Sequence, residues 1–194
     1  QRSNTRCART YYTRTFKRNM KTRLDFEKWP TDLLIDYALK IHHRGIREEG
    51  PETLARLNAL AAKHTELIEV AQQFGESLSD LDEHLMKEEN ILFPFIYEIM
   101  EANSQQRAQQ GFHCGSVQNP IAVMMSDHEG ETARHEHIAY LTHQFTAPEG
   151  AETEYQAVLD RLKEFKEALE EHILIEDTII FPRAITAEEG NTQG

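Results

Sequence analysis

The chain has 194 residues, enough for one domain with a substantial core, and its 39% hydrophobic and 28% charged residues are those of a globular protein. A formal net charge of −12 disfavours nucleic acid and anionic lipid as partners, and no apolar run approaches the length needed to span a bilayer. Function must therefore be read from the side-chain pattern of an acidic, membrane-free domain.

Residues 1–24 stand apart. They carry Arg2, Arg6, Arg9, Arg14, Lys17, Arg18, Lys21 and Arg23 and no acid, which leaves 13 basic against 33 acidic residues, or −20, for the rest. An acid-free, Arg/Thr-rich lead has the composition of a mitochondrial transit peptide. The preferred reading is a disordered tail, either an expression leader or translated sequence ahead of a start at Met20, with the folded domain over 25–194. Cys7 and Cys114 are the only cysteines, far apart and in unlike contexts. They form no disulfide framework and suit a reducing compartment such as the cytoplasm.

After the tail, Trp29-Pro30-Thr31-Asp32 marks a helix start, with Leu33, Leu34, Tyr37, Leu39 and Ile41 beginning an apolar pattern that includes His42 and His43. Gly50-Pro51 predicts a kink or brief break, because the periodicity resumes at Leu54, Leu57 and Leu60. A second helix is expected from about Thr65 to about Ala102, followed by a long polar connection through Asn119. A third helix starts near Pro120 and ends near Phe145, carrying Ile121, Met124, Met125 and His128 at helical spacing. A turn at Thr146–Ala151 leads to a fourth helix running from before Tyr155 to Pro182. No segment reads as a strand, so the expected fold is an all-α, up-down-up-down antiparallel four-helix bundle.

One pattern occurs twice. His84-Leu-Met-Lys-Glu88-Glu89-Asn-Ile-Leu-Phe93-Pro94 and His172-Ile-Leu-Ile-Glu176-Asp177-Thr-Ile-Ile-Phe181-Pro182 share His-x-x-x-Glu-acid-x-Ile-aliphatic-Phe-Pro. Residues i and i+4 lie on one helix face, so each block aims an imidazole and a carboxylate at one point. A buried carboxylate needs a partner, and two such pairs facing each other suit two transition-metal ions bridged by carboxylates. The competing reading, in which Phe-Pro simply stops two similar helices, requires neither the His nor the Glu.

Spacing gives an independent test, since ligands on adjacent antiparallel helices share a level only if the turn lies midway between them. His128 and His172 have their midpoint at residue 150, in the predicted turn. His84 and His128 have theirs at 106, in the polar connection. A partner for His84 on the first helix should mirror it across a turn near 63–64, and His43 does so. Four histidines, His43, His84, His128 and His172, are thus expected at one level with Glu88 and Glu176. His64 falls at the far turn and is rejected as a ligand; His42, His113, His135, His137 and His143 are read as solvated, with His135 sharing a face with His128.

Residues Asp36 to Ala184 resemble the hemerythrin-like di-iron proteins, and among them the repair-of-iron-centres proteins. The resemblance rests on Ile35-Asp36 with His43, the His84–Pro94 block, Pro120-Ile-x-Val-Met124-x-x-x-His128, and His172-x-x-x-Glu176 with Phe181-Pro182-Arg183-Ala184. It implies a non-haem site of two iron ions, oxo- or hydroxo-bridged, held by the four histidines, with Glu88 and Glu176 bridging. The oxygen carriers place a fifth histidine where this chain has Thr132, and an Asp five residues after the last helix's histidine where Glu176 here stands at four. The repair-type pattern fits better, although the paired-cysteine motif that many such proteins carry in a small N-terminal domain is absent from this sequence.

The function implied is an iron-handling stress protein that repairs iron–sulfur clusters after nitrosative or oxidative damage by donating iron, with iron–sulfur proteins or cluster scaffold proteins as partners. Two alternatives stand beside it: a binder or sensor of dioxygen or nitric oxide, and a di-iron nitric oxide reductase or peroxidase. No residue is assigned as catalytic. Cys114 is read as an incidental loop cysteine in preference to a partner-contacting thiol.

Overall fold

The computed structural model describes residues 24–109 and 115–191; the basic tail with Cys7, and His113 and Cys114 in the connection, lie outside the described residues. Helix α1 (31–61) comprises an α segment Thr31–Tyr37, a π-helical turn Ala38–His43 and a second α segment Arg44–Ala61. Helix α2 (68–104) comprises Ile68–Lys87, a π turn Glu88–Leu92 and Phe93–Ser104. Helix α3 is Gln118–Leu141, and α4 (153–191) comprises Thr153–Ile175, a π turn Glu176–Ile180 and Phe181–Asn191. Short 3-10 turns at Phe26–Lys28 and Thr65–Leu67 precede α1 and α2. No β-strand occurs among the described residues, and no helix there is long and apolar enough to cross a membrane.

The chain turns where the histidine spacing requires, at 62–64, within 105–117 and at 142–152. Three local expectations are corrected. First, α1 continues through Pro51 without a break. Neighbouring Gly50 makes this possible in a tight bundle: a Cβ there would stand 2.5 Å from Leu78 Cδ2 and 3.3 Å from Phe165 Cε2, so its absence lets α1 approach α2 and α4.

Second, α3 stops at Leu141 instead of near Phe145. His143, Gln144 and Phe145 adopt φ of 48°, 57° and 59°, left-handed values that no helix continues. Gln156 holds this turn, its side chain accepting from Ala147 N at 2.9 Å and donating to Phe145 O at 3.0 Å, a tertiary contact with no local sequence signature.

Third, the fourth helix does not end at Pro182 but runs on to Asn191, as α2 runs through Pro94. Phe93 N–H and Phe181 N–H donate five residues back, to Glu88 O and Glu176 O. The proline that follows has no N–H to place while the ladder returns to α register, so it removes no bond that the π turn had not already displaced.

Two apolar clusters fill the interior. Leu57, Phe74, Leu81, Leu85, Ile138, Leu162 and Phe165 belong to one; Leu34, Ile35, Phe93, Phe95, Ile96, Ile121, Ile175 and Phe181 belong to the other. In every helix the sequence passes from one cluster to the other across the candidate ligands, so a polar layer divides two hydrophobic halves.

A smaller polar group lies beneath that layer. Ser77 Oγ donates to Glu131 Oε2 at 2.6 Å and lies 3.0 Å from His135 Nε2, while the Arg134 guanidinium joins Glu131 to Asp80. His135 is therefore buried instead of solvated, stacked on Phe165. Burial, aided by Lys166 and Arg134, pushes its pKa down to about 3. As pH falls from about 6.5 towards about 3, the unfolded chain takes up a proton that the native imidazole refuses, so stability is full above this window and lost within it. His135→Gln is expected to flatten the fall in unfolding free energy, from urea titrations between pH 6 and 4, by up to roughly 1 kcal/mol per pH unit; equal slopes in variant and parent would contradict this.

Candidate metal centre

His43 closes the π turn of α1, Glu88 and Glu176 open those of α2 and α4, and His84, His128 and His172 stand on regular helix. A π turn widens the helix and displaces its side chains relative to α spacing. All six residues are at most 3% exposed. Ligand atoms of His84, Glu88, His128, His172 and Glu176 lie within 4.8 Å of one another. The sixth, His43, reaches the group through Glu88, its Nε2 standing 3.4 Å from Glu88 Oε2.

The layer divides into two halves. His84 and His128 bring their Nε2 atoms to 3.1 Å, with Glu88 Oε1 3.4 Å from the first and Glu176 Oε2 3.3 Å from the second. In the other half, the His43 and His172 rings meet at 5.3 Å; Glu88 Oε2 lies 3.4 Å from His43 Nε2 and 3.9 Å from His172 Nε2, and Glu176 Oε2 lies 3.4 Å from His172 Nε2. Both carboxylates touch both halves.

Three imidazoles are oriented by acids. His43 Nδ1 lies 2.8 Å from Glu89 Oε1, His128 Nδ1 2.9 Å from Asp177 Oδ1 and His84 Nδ1 3.4 Å from Asp127 Oδ2. A carboxylate can only accept here, so each Nδ1 carries the proton and each Nε2 lone pair points inward. Arg47 holds Glu89 at 2.6 and 3.2 Å, and Lys87 holds Asp127 at 3.2 Å. The phenylalanines of the repeated pattern complete the frame: Phe93 stacks on His43 and Phe181 on His128.

This geometry is poor for protein groups alone. Both oxygens of Glu88 and of Glu176, and Nε2 of His43 and His172, are buried without hydrogen-bond partners. The His84 and His128 lone pairs confront each other. Such groups carry the full desolvation cost unless a cation takes the electron pairs. Burial works against the Glu88 anion, but the His43 and His84 imidazoles outweigh it and hold Glu88 well below the usual carboxylate range. Burial and then the Glu88 charge push Glu176 well above it. Burial holds His172 well below an ordinary histidine, in the neutral form a metal requires. The residues present fit bound metal with nitrogen and oxygen ligands.

Sequence reasoning missed the acids that orient the histidines, although Glu89 and Asp177 occupy the same position in both copies of the pattern. It also read His42 as solvated. His42 is 4% exposed and its ring meets that of His172 at 5.6 Å, because the π turn ending at His43 draws both residues inward. His64 lies at the far turn, half-buried beside Glu152, and His137 and His143 are exposed. Asp177→Ala is expected to weaken metal binding about 10–100-fold while leaving helicity intact; chelator competition measures it, and unchanged affinity would deny Asp177 an orienting role.

The Hemerythrin HHE cation binding domain family matches residues 34–184. The iron-sulfur cluster repair protein YtfE of Pectobacterium carotovorum subsp. carotovorum (strain PC1) is 31% identical over 168 residues, covering 84% of this chain and 70% of that protein. The proteins of the same name from Yersinia pseudotuberculosis serotype IB (strain PB1/+) and Escherichia coli O81 (strain ED1a) are each 30% identical with the same coverage.

Proposed function

This chain belongs to the hemerythrin HHE cation binding domain family, and from that premise we propose that it uses a di-iron centre to repair iron–sulfur clusters damaged by nitrosative or oxidative stress. The ligands are His43, His84, His128, His172, Glu88 and Glu176, and the cofactor is two iron ions, oxo- or hydroxo-bridged. One observation carries the reading: in a layer of six buried side chains, the carboxylate oxygens of Glu88 and Glu176 and Nε2 of His43 and His172 lack hydrogen-bond partners, while Nε2 of His84 and of His128 face each other. The names of the relatives support its use in cluster repair. The partners are iron–sulfur proteins or cluster scaffold proteins, in the cytoplasm, with nitric oxide and dioxygen as small ligands.

Each half of the layer offers two imidazoles, and Glu88 and Glu176 span the halves. Glu89, Asp127 and Asp177 keep three Nε2 lone pairs directed inward, and the apolar clusters on either side exclude bulk water. Iron held there supplies coordination positions open to small ligands and a store of metal to donate. Burial and then the Glu88 charge push the Glu176 carboxyl above its usual range in the metal-free layer.

Protein loaded with 57Fe and mixed with an iron–sulfur enzyme whose cluster nitric oxide has degraded tests the reading. The label is expected in the restored cluster, by Mössbauer spectroscopy, and absent with His84→Ala. No transfer, with steady consumption of nitric oxide instead, would replace repair by reductase chemistry.

A further inference from the structure

Three of the four candidate ligand histidines are held at Nδ1 by an acid, and the fourth sets the two halves of the layer apart. The acids follow a pattern across the bundle. Glu89, the residue after Glu88 on α2, reaches His43 on α1, and Asp177, the residue after Glu176 on α4, reaches His128 on α3. Asp127, the residue before His128 on α3, reaches His84 on α2. The matching position on α1 is the residue before His43, and there the chain has His42 in place of an acid.

His42 stands where this correspondence puts it, its ring edge-on to that of His172 on α4 at 5.6 Å. It does not hold His172. Its Nε2 turns to Glu171 Oε1 at 3.3 Å, and its Nδ1, like Nδ1 of His172, is buried with no hydrogen-bond partner among the described residues. His172 Nε2 is also 3.9 Å from Glu88, where the other histidine–glutamate contacts of the layer are 3.3 or 3.4 Å. On its far side His42 lines a cavity of about 320 Å³ whose walls include the exposed Ile41 and Glu49.

An imidazole whose outer nitrogen has no acceptor is a weaker base at the inner one, and its ring is not fixed in direction. Loss of one such partner costs about 10–100-fold in metal affinity. We propose that His42, by standing where the other half has Asp127, leaves the His43/His172 half the weaker of the two, so that the iron given up comes from that half. This rests on the iron-donating reading above. His42 is thus a residue that sets the order of release, with no contact of its own with the metal.

The test uses protein reconstituted with ferrous iron, desalted, and titrated anaerobically with bipyridine, the forms with two, one and no iron being counted by native mass spectrometry. The parent is expected to pass through a one-iron form, its two irons differing about 10–100-fold in the bipyridine needed to remove them. Crystals of that form, measured at the iron absorption edge, are expected to show anomalous density between His84 and His128 and little between His43 and His172. His42→Asp is expected to narrow the gap between the two steps. Removal of both irons together, or density that is equal in the two halves or stronger between His43 and His172, overturns the order of release. A gap unchanged in a folded His42→Asp protein overturns the role of position 42. A parent that never holds more than one iron would instead overturn the di-iron reading, and the place of that iron in the crystal still decides which half binds more tightly.

Discussion

Glu176→Ala is expected to cut the iron retained after anaerobic reconstitution from about two ions per chain to fewer than about one. Glu176 Oε2 is 3.3 Å from His128 Nε2 and 3.4 Å from His172 Nε2, so one substitution strips an oxygen from both halves at once. The cost to the metal-free fold is small by comparison, because burial and Glu88 already hold Glu176 towards its neutral form. Metal content should collapse while far-ultraviolet circular dichroism stays unchanged. Retention of about two irons by a folded variant would remove Glu176 from the ligand set.

The second large effect has the opposite sign for stability. Glu88→Met combined with Glu176→Met is expected to raise metal-free stability by about 1–4 kcal/mol, as replacement of buried charge by apolar volume often does, while abolishing iron binding. All four carboxylate oxygens are buried without hydrogen bonds, and they sit between two well-packed apolar clusters into which methionine fits. Guanidinium unfolding of both metal-free proteins measures the gain. A double variant less stable than its parent would mean that the two carboxylates hold the fold together without metal. The same reasoning predicts that the parent recovers stability only when loaded, since a ligand bound to the native state alone adds stability by mass action.

Much of this architecture was legible in the residues. Helical periodicity marks four helices, and the mirror spacing of His43, His84, His128 and His172 places the turns, including the one at 62–64 that has no glycine or proline to announce it. The repeated pattern encodes more than its two ligands: Glu88 and Glu176 face inward, Glu89 and Asp177 orient the histidine of the adjacent helix, and Phe93 and Phe181 stack on that same ring.

What escaped the sequence depended on register and on distant contacts. A π turn adds one residue to a helix without changing composition, so His42, expected about 100° from His43 and in solvent, lies buried against His172. Pro182 reads as a stop only if the ladder before it is α, and here it is not. His135 looked like a surface residue because its partners, Ser77, Phe74 and Phe165, come from other helices.

The central claim is that the bundle holds two metal ions between its four histidine-bearing helices. Counting iron in protein reconstituted with ferrous iron and desalted under anaerobic conditions, by mass spectrometry of the folded chain, tests it most directly. The account predicts a species carrying about two irons per chain, absent when His84 is replaced by alanine. A folded chain that retains no iron would contradict it and return both His-x-x-x-Glu pairs to helix packing.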